Sequence, residues 1–387
     1  MYDFEFSEEQ RAFVDLAAKF SREEIAPTAL MRDKNSEFPG EILRKMGELG
    51  FLGMTVSPDW GGVGMDYVSY VGAMEEISKA DSALGIILSV QNSLVDWILE
   101  SYGSDEQREK YLRPLAEGRK LGAYCLSEPD AGSDARKLRT EAKKVDGGWL
   151  LNGMKNWVSS GNNADTYIIF AQSDPSLEHR GICCFVVERG SEGLEPGPPE
   201  DKLGMRSSDT CALSLSDVFV PEENLIGERG GGFYIAMKAL NGGRIGIASQ
   251  SLGIAQAALE ASVRYARKRV AMGKPISEHQ LIQAKIAQMS MRIDAARLLT
   301  LKAAWLRDRK QKHIREASHA KLFASATAFD CAREAIQIHG GYGYVREYGV
   351  EKLLRDSKVT EIYEGTSEIQ QLVIARDVIN NDYLEEI

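Results

Sequence analysis

The spacing of apolar residues changes character twice along the chain, and this fixes the order of its parts. In residues 1–120 the spacing is helical. Phe13, Leu16, Ala17 and Phe20 recur at intervals of a helix turn behind Ser7, which forms a capping box with Gln10. Pro27 stops that helix or lies just beyond it. Pro39 suits the first turn of a second helix and Gly50 its left-handed exit, Pro58–Gly62 is a loop, and Ser104 with Gln107 marks another start. From 121 to 232 short alternating or β-branched runs take over: Trp149–Leu151 after the turn Asp146-Gly147-Gly148, Tyr167–Ala171, Ile182–Val187 and Cys211–Val220. Glu192–Leu203, rich in Gly and Pro, reads as a loop among them. From 233 to 387 helical spacing returns, and Ile282, Ile286, Met289, Ile293 and Ala296 form one apolar stripe. Helices, then strands, then helices, without alternation, exclude a Rossmann sheet and predict an α+β multidomain chain. Its three domains are 1–120 (helical), 121–232 (β) and 233–387 (helical).

Composition removes several classes of function. Lys and Arg number 47 against 57 Asp and Glu, a net charge of −10, so no basic footprint exists for nucleic acid or an anionic membrane. A polyanionic ligand must be held by a local site. The 5 cysteines, Cys125, Cys183, Cys184, Cys211 and Cys331, make no disulfide framework in 387 residues. With a start, Met1–Gln10, that has neither signal nor transit character, they predict a reducing, cytoplasmic setting. The longest apolar run, Ala83–Val90, is soon interrupted by polar residues, which predicts no membrane insertion. Histidines and cysteines lack metal-ligand spacing, and neither a G-x-S-x-G elbow nor a P-loop is present.

Three segments point to chemistry. At the seam of the first two parts, Tyr124–Asp134 offers hydroxyls, glycine and backbone amides to a ligand, or serves as a polar linker. In Asn156–Gly161, Trp157 either packs in a core or flanks a planar cofactor. In Glu361–Ile369, Thr366 or Ser367 begins a helix and Glu364 sits just before it. There the carboxylate either favours the helix dipole or acts as a general base.

Together these segments resemble the acyl-CoA dehydrogenase family over nearly the whole chain. The likeness extends to Phe6–Gln10, Trp60–Gly64, Lys202–Arg206, Ala266–Pro275 and Gln337–Gly341. Arg244–Gln250 and Tyr363–Gln370 bring it closest to the short- and medium-chain, butyryl-CoA dehydrogenase-like branch. The resemblance implies an N-terminal helical domain, a middle β-barrel or sandwich domain and a C-terminal four-helix bundle, with FAD between the last two and completed by a neighbouring subunit of a homotetramer.

Carried onto this chain, the resemblance implies that Tyr124, Leu126, Ser127, Gly132 and Ser133 line the flavin with Trp157, Val158 and Ser159. Arg269, Gln280, Gln337, Ile338, Gly340 and Gly341 hold the adenine nucleotide half, and Thr366, Ser367 and Glu368 complete the site. Gln280 also forms a capping box with Ser277. Ser133, Asn241, Arg244, Tyr363 and Gly365 contact the CoA thioester. Glu364 takes the α-proton while hydride leaves the β-carbon for the flavin, and electrons pass to an electron-transferring flavoprotein. The family donors to the thioester carbonyl are the amide of the base and a ribityl hydroxyl of FAD. Some branches carry the base at the position of Gly243, where this chain has none to offer. Ile86, Val90 and Leu94 lie on one helix face and are either core or the floor of an acyl pocket for a short, branched or alicyclic group. Gln91 and Asp96 depart from the pattern. The rival readings are a flavin oxidase or hydroxylase on the same fold and a non-catalytic CoA-ester-binding protein.

Overall fold

The computed structural model describes residues 5–380; Met1–Phe4 of the acidic start and residues 381–387 of the third part lie outside them. Helix α1 (Glu8–Phe20) begins with the expected box: Gln10 N donates to Ser7 Oγ at 3.2 Å and Ser7 N to Gln10 Oε1 at 2.9 Å. Phe13, Ala17 and Phe20 are buried, whereas Leu16 faces solvent. Pro27 does not end the helical run. A π-turn over Ser21–Ile25 leads into α2 (Ala26–Asn35), and Pro27 sits in its first turn, where a missing amide costs little. Pro39 caps α3 (Gly40–Glu48) instead of entering its first turn, and Gly50 follows in the left-handed region at φ 80°.

Helix α4 (Tyr67–Ala80) precedes α5 (Ser82–Ser89), which runs through a π-helical segment, Val90–Asp96, into α6 (Trp97–Tyr102). By length and composition Ser82–Tyr102 could cross a membrane, but its apolar window is 94% buried inside the fold. One side of it, with Leu84, Ile87 and Leu88, packs with α1 and α4. The other, with Ile86, Val90 and Leu94, packs toward the sheet. Gln91 and Asp96 are a fully buried pair: Gln91 Nε2 donates to Asp96 Oδ1 at 2.8 Å, and Gly122 N donates to Gln91 Oε1 at 2.8 Å. They tie the π segment to the first strand, and burial pushes the Asp96 carboxyl well above the usual range. The helices α7 (Asp105–Gln107, opened by the Ser104–Gln107 box) and α8 (Arg113–Ala116) complete this part.

The middle part is one sheet of eight strands: β1 (Gly122–Cys125), β2 (Glu141–Val145), β3 (Gly148–Ser159), β4 (Thr166–Gln172), β5 (Ile182–Glu188), β6 (Leu194–Pro196), β7 (Thr210–Pro221) and β8 (Leu225–Ile226). Its order is β6-β7-β3-β2-β4-β5-β8, with β1 running parallel to β4. Alternation sends Cys183 and Cys184 into separate cores on opposite faces. The stretch Glu192–Leu203 is not loop throughout, because β6 pairs antiparallel with β7 and buries Leu194.

Helix α9 (Gly232–Lys268) opens the last part, followed by the hairpin β9 (Val270–Ala271) and β10 (Lys274–Pro275). Then come α10 (Gln280–Asp308), α11 (Ile314–His339), α12 (Val350–Thr360) and α13 (Ser367–Asn380). The α10 stripe faces inward, with Met289, Ile293 and Ala296 buried and Ile282 and Ile286 half-buried. The Ser277–Gln280 box does not form. Ser277 is taken into a 3-10 turn, Ile276–Glu278, and His279 precedes α10 without a side-chain cap.

Buried charges lock the three parts together. Asp81 accepts from Arg32 Nη2 at 2.8 Å and from Lys352 Nζ at 3.1 Å, and Lys352 also pairs with Asp356 at 2.6 Å. Asp356 takes Met205 N from the middle part at 2.6 Å. Burial alone would raise the Asp81 carboxyl, but Lys352 and Arg32 outweigh it and hold it below its ordinary value. Asp81→Asn strips two buried cations of their shared partner and is expected to cost roughly 3 kcal/mol. Because the ionised form is the one favoured by folding, this contribution is present above the ordinary carboxyl pKa and fades as pH falls through the lowered one. Thermal unfolding should therefore show a lower midpoint for the variant near pH 7 and a narrowing gap on acidification.

Candidate active site

After α12 the chain turns sharply, and the turn carries Glu364 at φ 50° followed by Gly365 at φ 92°. A left-handed glutamate needs outside support. The Gly365 carbonyl supplies the handle: it accepts from Lys321 Nζ at 2.8 Å and from Gln370 Nε2 at 2.9 Å. Thr366 then caps α13, its Oγ1 accepting from Ile369 N at 3.3 Å. Ser367 N donates to Glu361 O at 3.0 Å, and exposed Glu368 follows in the first turn.

The turn aims the Glu364 carboxylate at α9. Both carboxylate oxygens are shut off from solvent, and among the described residues neither has a hydrogen-bond partner. They occupy the space left by Gly243, where a Cβ would overlap Glu364 Oε2 and stand 3.1 Å from Leu94 Cδ2. Burial lifts the Glu364 pKa to about 7, with Lys321 and Arg244 pulling it back. Burial likewise lowers Lys321 to about 8 and Arg244 to about 10, and the Glu364 charge opposes both shifts. Arg244 is fixed by Asn241 Oδ1, which accepts from its Nη1 at 2.9 Å. The result is a carboxylate that takes a proton near neutral pH and keeps both lone-pair faces free.

The sheet borders this group through Tyr124 at the end of β1. Its ring meets Phe170 edge-on at 5.2 Å, its hydroxyl is buried without a partner, and Glu364 adds to the burial that pushes that hydroxyl up. Asn156 N donates to Ser127 O at 2.9 Å, so the first two segments singled out above lie side by side. Lys155, fully buried, pins them by donating to Glu128 Oε1 at 2.7 Å and Leu126 O at 3.3 Å. Trp157 is no core residue: it stands at φ 59° and is 64% exposed. Val158 is buried and Ser159 half-buried, while Gly132 and Ser133 lie open beside free space. An exposed indole, an orphaned buried phenol and an open glycine–serine turn fit a flat ring system with a phosphate tail.

Ile86, Val90 and Leu94 belong to the same apolar cluster as Leu126, Tyr124 and Tyr363, so these bulky aliphatics pack around the residue next to Glu364. The Tyr363 hydroxyl donates to Gln250 Oε1, and Gln250 Nε2 to Ser82 O at 2.7 Å.

Other candidates gather elsewhere. Arg269, Ile338, Gly340 and Gly341 line a cleft of about 710 Å³ beside Tyr265 and His339, whose rings stack at 4.2 Å. Gln280 and Gln337 are exposed and do not line it, and the cleft shares no lining residue with the Glu364 group. Sequence reasoning missed Lys321 and gave Gln250 and Gln370 no role, although both lie in motifs that carry the resemblance. Lys321 left a signal: it interrupts the buried small-residue face of α11 formed by Ala317, Ala320, Ala324 and Ala328. Among the described residues no group of three His, Cys, Asp or Glu side chains is placed to hold a metal.

A lone buried carboxylate of this kind, beside aliphatic side chains and an exposed indole, is the arrangement of an enzyme that takes a proton from a substrate held against a flat cofactor. Known proteins narrow the class. Family models for acyl-CoA dehydrogenase match in succession: the N-terminal domain at residues 7–119, the middle domain at 123–218 and the C-terminal domain at 230–379. The chain is 48% identical to an acyl-CoA dehydrogenase of Bacillus subtilis over 96% of its length and 98% of that protein. It is 45% identical to the human mitochondrial short-chain specific acyl-CoA dehydrogenase, covering 97% of this chain and 92% of that one. The structure of butyryl-CoA dehydrogenase from Megasphaera elsdenii superposes with a TM-score of 0.96 at 42% identity, covering 98% of this chain and 100% of that one. The chain belongs to the acyl-CoA dehydrogenase family, is an oxidoreductase acting on acyl-CoA, and uses FAD.

Proposed function

We propose that the protein dehydrogenates short, branched or alicyclic acyl-CoA thioesters to 2-enoyl-CoA, with Glu364 as the α-proton acceptor and an electron-transferring flavoprotein as the electron acceptor. The observation that carries this reading is the buried, unpartnered Glu364 carboxylate seated against Gly243. Tyr124, Leu126, Ser127, Gly132 and Ser133, with Trp157, Val158 and Ser159, hold the flavin, which when bound accepts the hydride from the β-carbon. Asn241 and Arg244 orient the thioester, Tyr363 and Gly365 border it, and the Glu364 amide polarises its carbonyl as negative charge develops. Proton loss from carbon goes to a Glu364 oxygen that no other hydrogen bond occupies. Arg269, Ile338, Gly340 and Gly341 sit apart from this group, which suits their completing the cofactor site of a neighbouring copy in a homotetramer, with Gln280 and Gln337 beside them and Thr366, Ser367 and Glu368 on the near side.

Anaerobic flavin bleaching by a panel of acyl-CoAs, followed by admission of air, tests the reading: bleaching by short or branched esters and slow reoxidation are expected. Prompt reoxidation with peroxide would replace it with an oxidase. The acyl pocket has its own test. Ile86→Ala with Val90→Ala should shift the best substrate to a longer chain by two or more carbons, roughly one pocket side chain's length. An unchanged chain-length profile with lowered thermal stability would make both residues core only.

A further inference from the structure

We infer that Lys321 and Gln370 are the positioning residues of the Glu364 base. Their shared grip on the Gly365 carbonyl holds the left-handed backbone of the turn, and it fixes the Lys321 ammonium one residue from the base, where its positive charge acts on the carboxylate. The inference rests on Glu364 being the base.

Lys321 is fully buried on α11, and among the described residues the one hydrogen bond of its ammonium is the 2.8 Å contact to Gly365 O. Among the described residues no carboxylate lies within ion-pair distance of it. A buried ammonium so sparsely satisfied weakens packing relative to an apolar side chain of the same length, so its presence calls for another role. Gln370, also fully buried, donates to the same carbonyl at 2.9 Å and reaches Glu364 O at 3.4 Å. Two donors from two helices thus converge on the carbonyl of the residue after the base. They leave the carboxylate itself unbonded, which is what a proton acceptor needs.

Its place on Gly365 O, one residue after Glu364, gives Lys321 a second part. Arg244 faces the carboxylate from α9 and Lys321 from α11, while Tyr124 of β1, Tyr70 of α4 and the adjacent Tyr363 are neutral phenols nearby. Glu361 and Glu368 act on Lys321 from the same turn and from α13.

The test uses the FAD-loaded enzyme. The infrared carbonyl band of protonated Glu364, identified by its loss in Glu364→Gln, is titrated without turnover. Lys321→Gln keeps a donor for Gly365 O but removes the charge, and its band should persist to a pH at least about one unit higher. Lys321→Arg should restore the wild-type titration. Gln370→Leu removes a neutral donor, so it should titrate as wild type yet bleach flavin about tenfold more slowly. A wild-type titration in Lys321→Gln, or wild-type bleaching in Gln370→Leu, would overturn the inference. Should Lys321→Gln fail to fold, Gln370→Leu still decides the positioning part and Lys321→Met the charge. If Glu364→Gln itself bleaches at the wild-type rate, the assignment of the base falls first; if it is inactive, a failed titration shift counts against Lys321 alone.

Discussion

Glu364→Gln is expected to keep the fold, FAD and acyl-CoA binding, and to lose flavin bleaching by roughly four orders of magnitude. The substitution is nearly isosteric, and the wild-type carboxylate oxygens make no hydrogen bond that an amide would forfeit. The slot beside Gly243 accepts either side chain equally, so position is preserved and only the ability to take a proton is removed. In the wild type, bleaching should rise with pH through about 7, because burial keeps Glu364 protonated at more acidic pH and the proton must leave before the group can act. Stopped-flow bleaching from pH 5.5 to 8.5, a range of about 1.5 units either side of that value, reads both effects. Bleaching of the Gln variant within about tenfold of wild type would remove Glu364 from the chemistry.

What the sequence made visible and what it concealed divide along range. The order of helices, strands and helices follows from local periodicity, and the α1 and Ser104 capping boxes from contacts three residues apart. Glu364 stood out because its turn and the helix after it are encoded within nine residues, Glu361–Ile369. Lys321 escaped notice, and the role of Gln250 stayed hidden, because their partners lie 44 and 113 residues away, across helices whose packing no local pattern specifies. The same limit explains Ser277, whose capping pattern yielded to a 3-10 turn, and Pro27, whose helix continues through a π-turn that proline rules do not anticipate. Trp157 was open between core and cofactor, and only its exposed ring at positive φ decided against the core. Gln91 and Asp96, which depart from the family pattern, form a buried strut between the π segment and β1, a contact that no local pattern announces.

Gly243→Ala should lower bleaching by about a hundredfold or more while leaving thermal stability near wild type. Helix propensity alone points the other way, since alanine in a helix interior gains roughly 0.5–1 kcal/mol over glycine. Position 243 lies inside the 37-residue helix α9, fully packed, and the new methyl would occupy the place of Glu364 Oε2. Leu94, 2% exposed and already 3.1 Å from the added Cβ, gives no room on the other side. The Gly365 carbonyl is clasped by Lys321 and Gln370, so the backbone of the turn resists moving and the carboxylate must rotate away from the slot. A base displaced by about 1 Å forfeits roughly this factor through misalignment alone. FAD content and the melting temperature of the variant separate this outcome from unfolding, and a non-dehydrogenable CoA thioester reports whether the pocket still binds. Bleaching within twofold of wild type, roughly 0.4 kcal/mol in the barrier, would mean that the carboxylate does not act from the slot it occupies, and that the bare glycine serves helix packing alone.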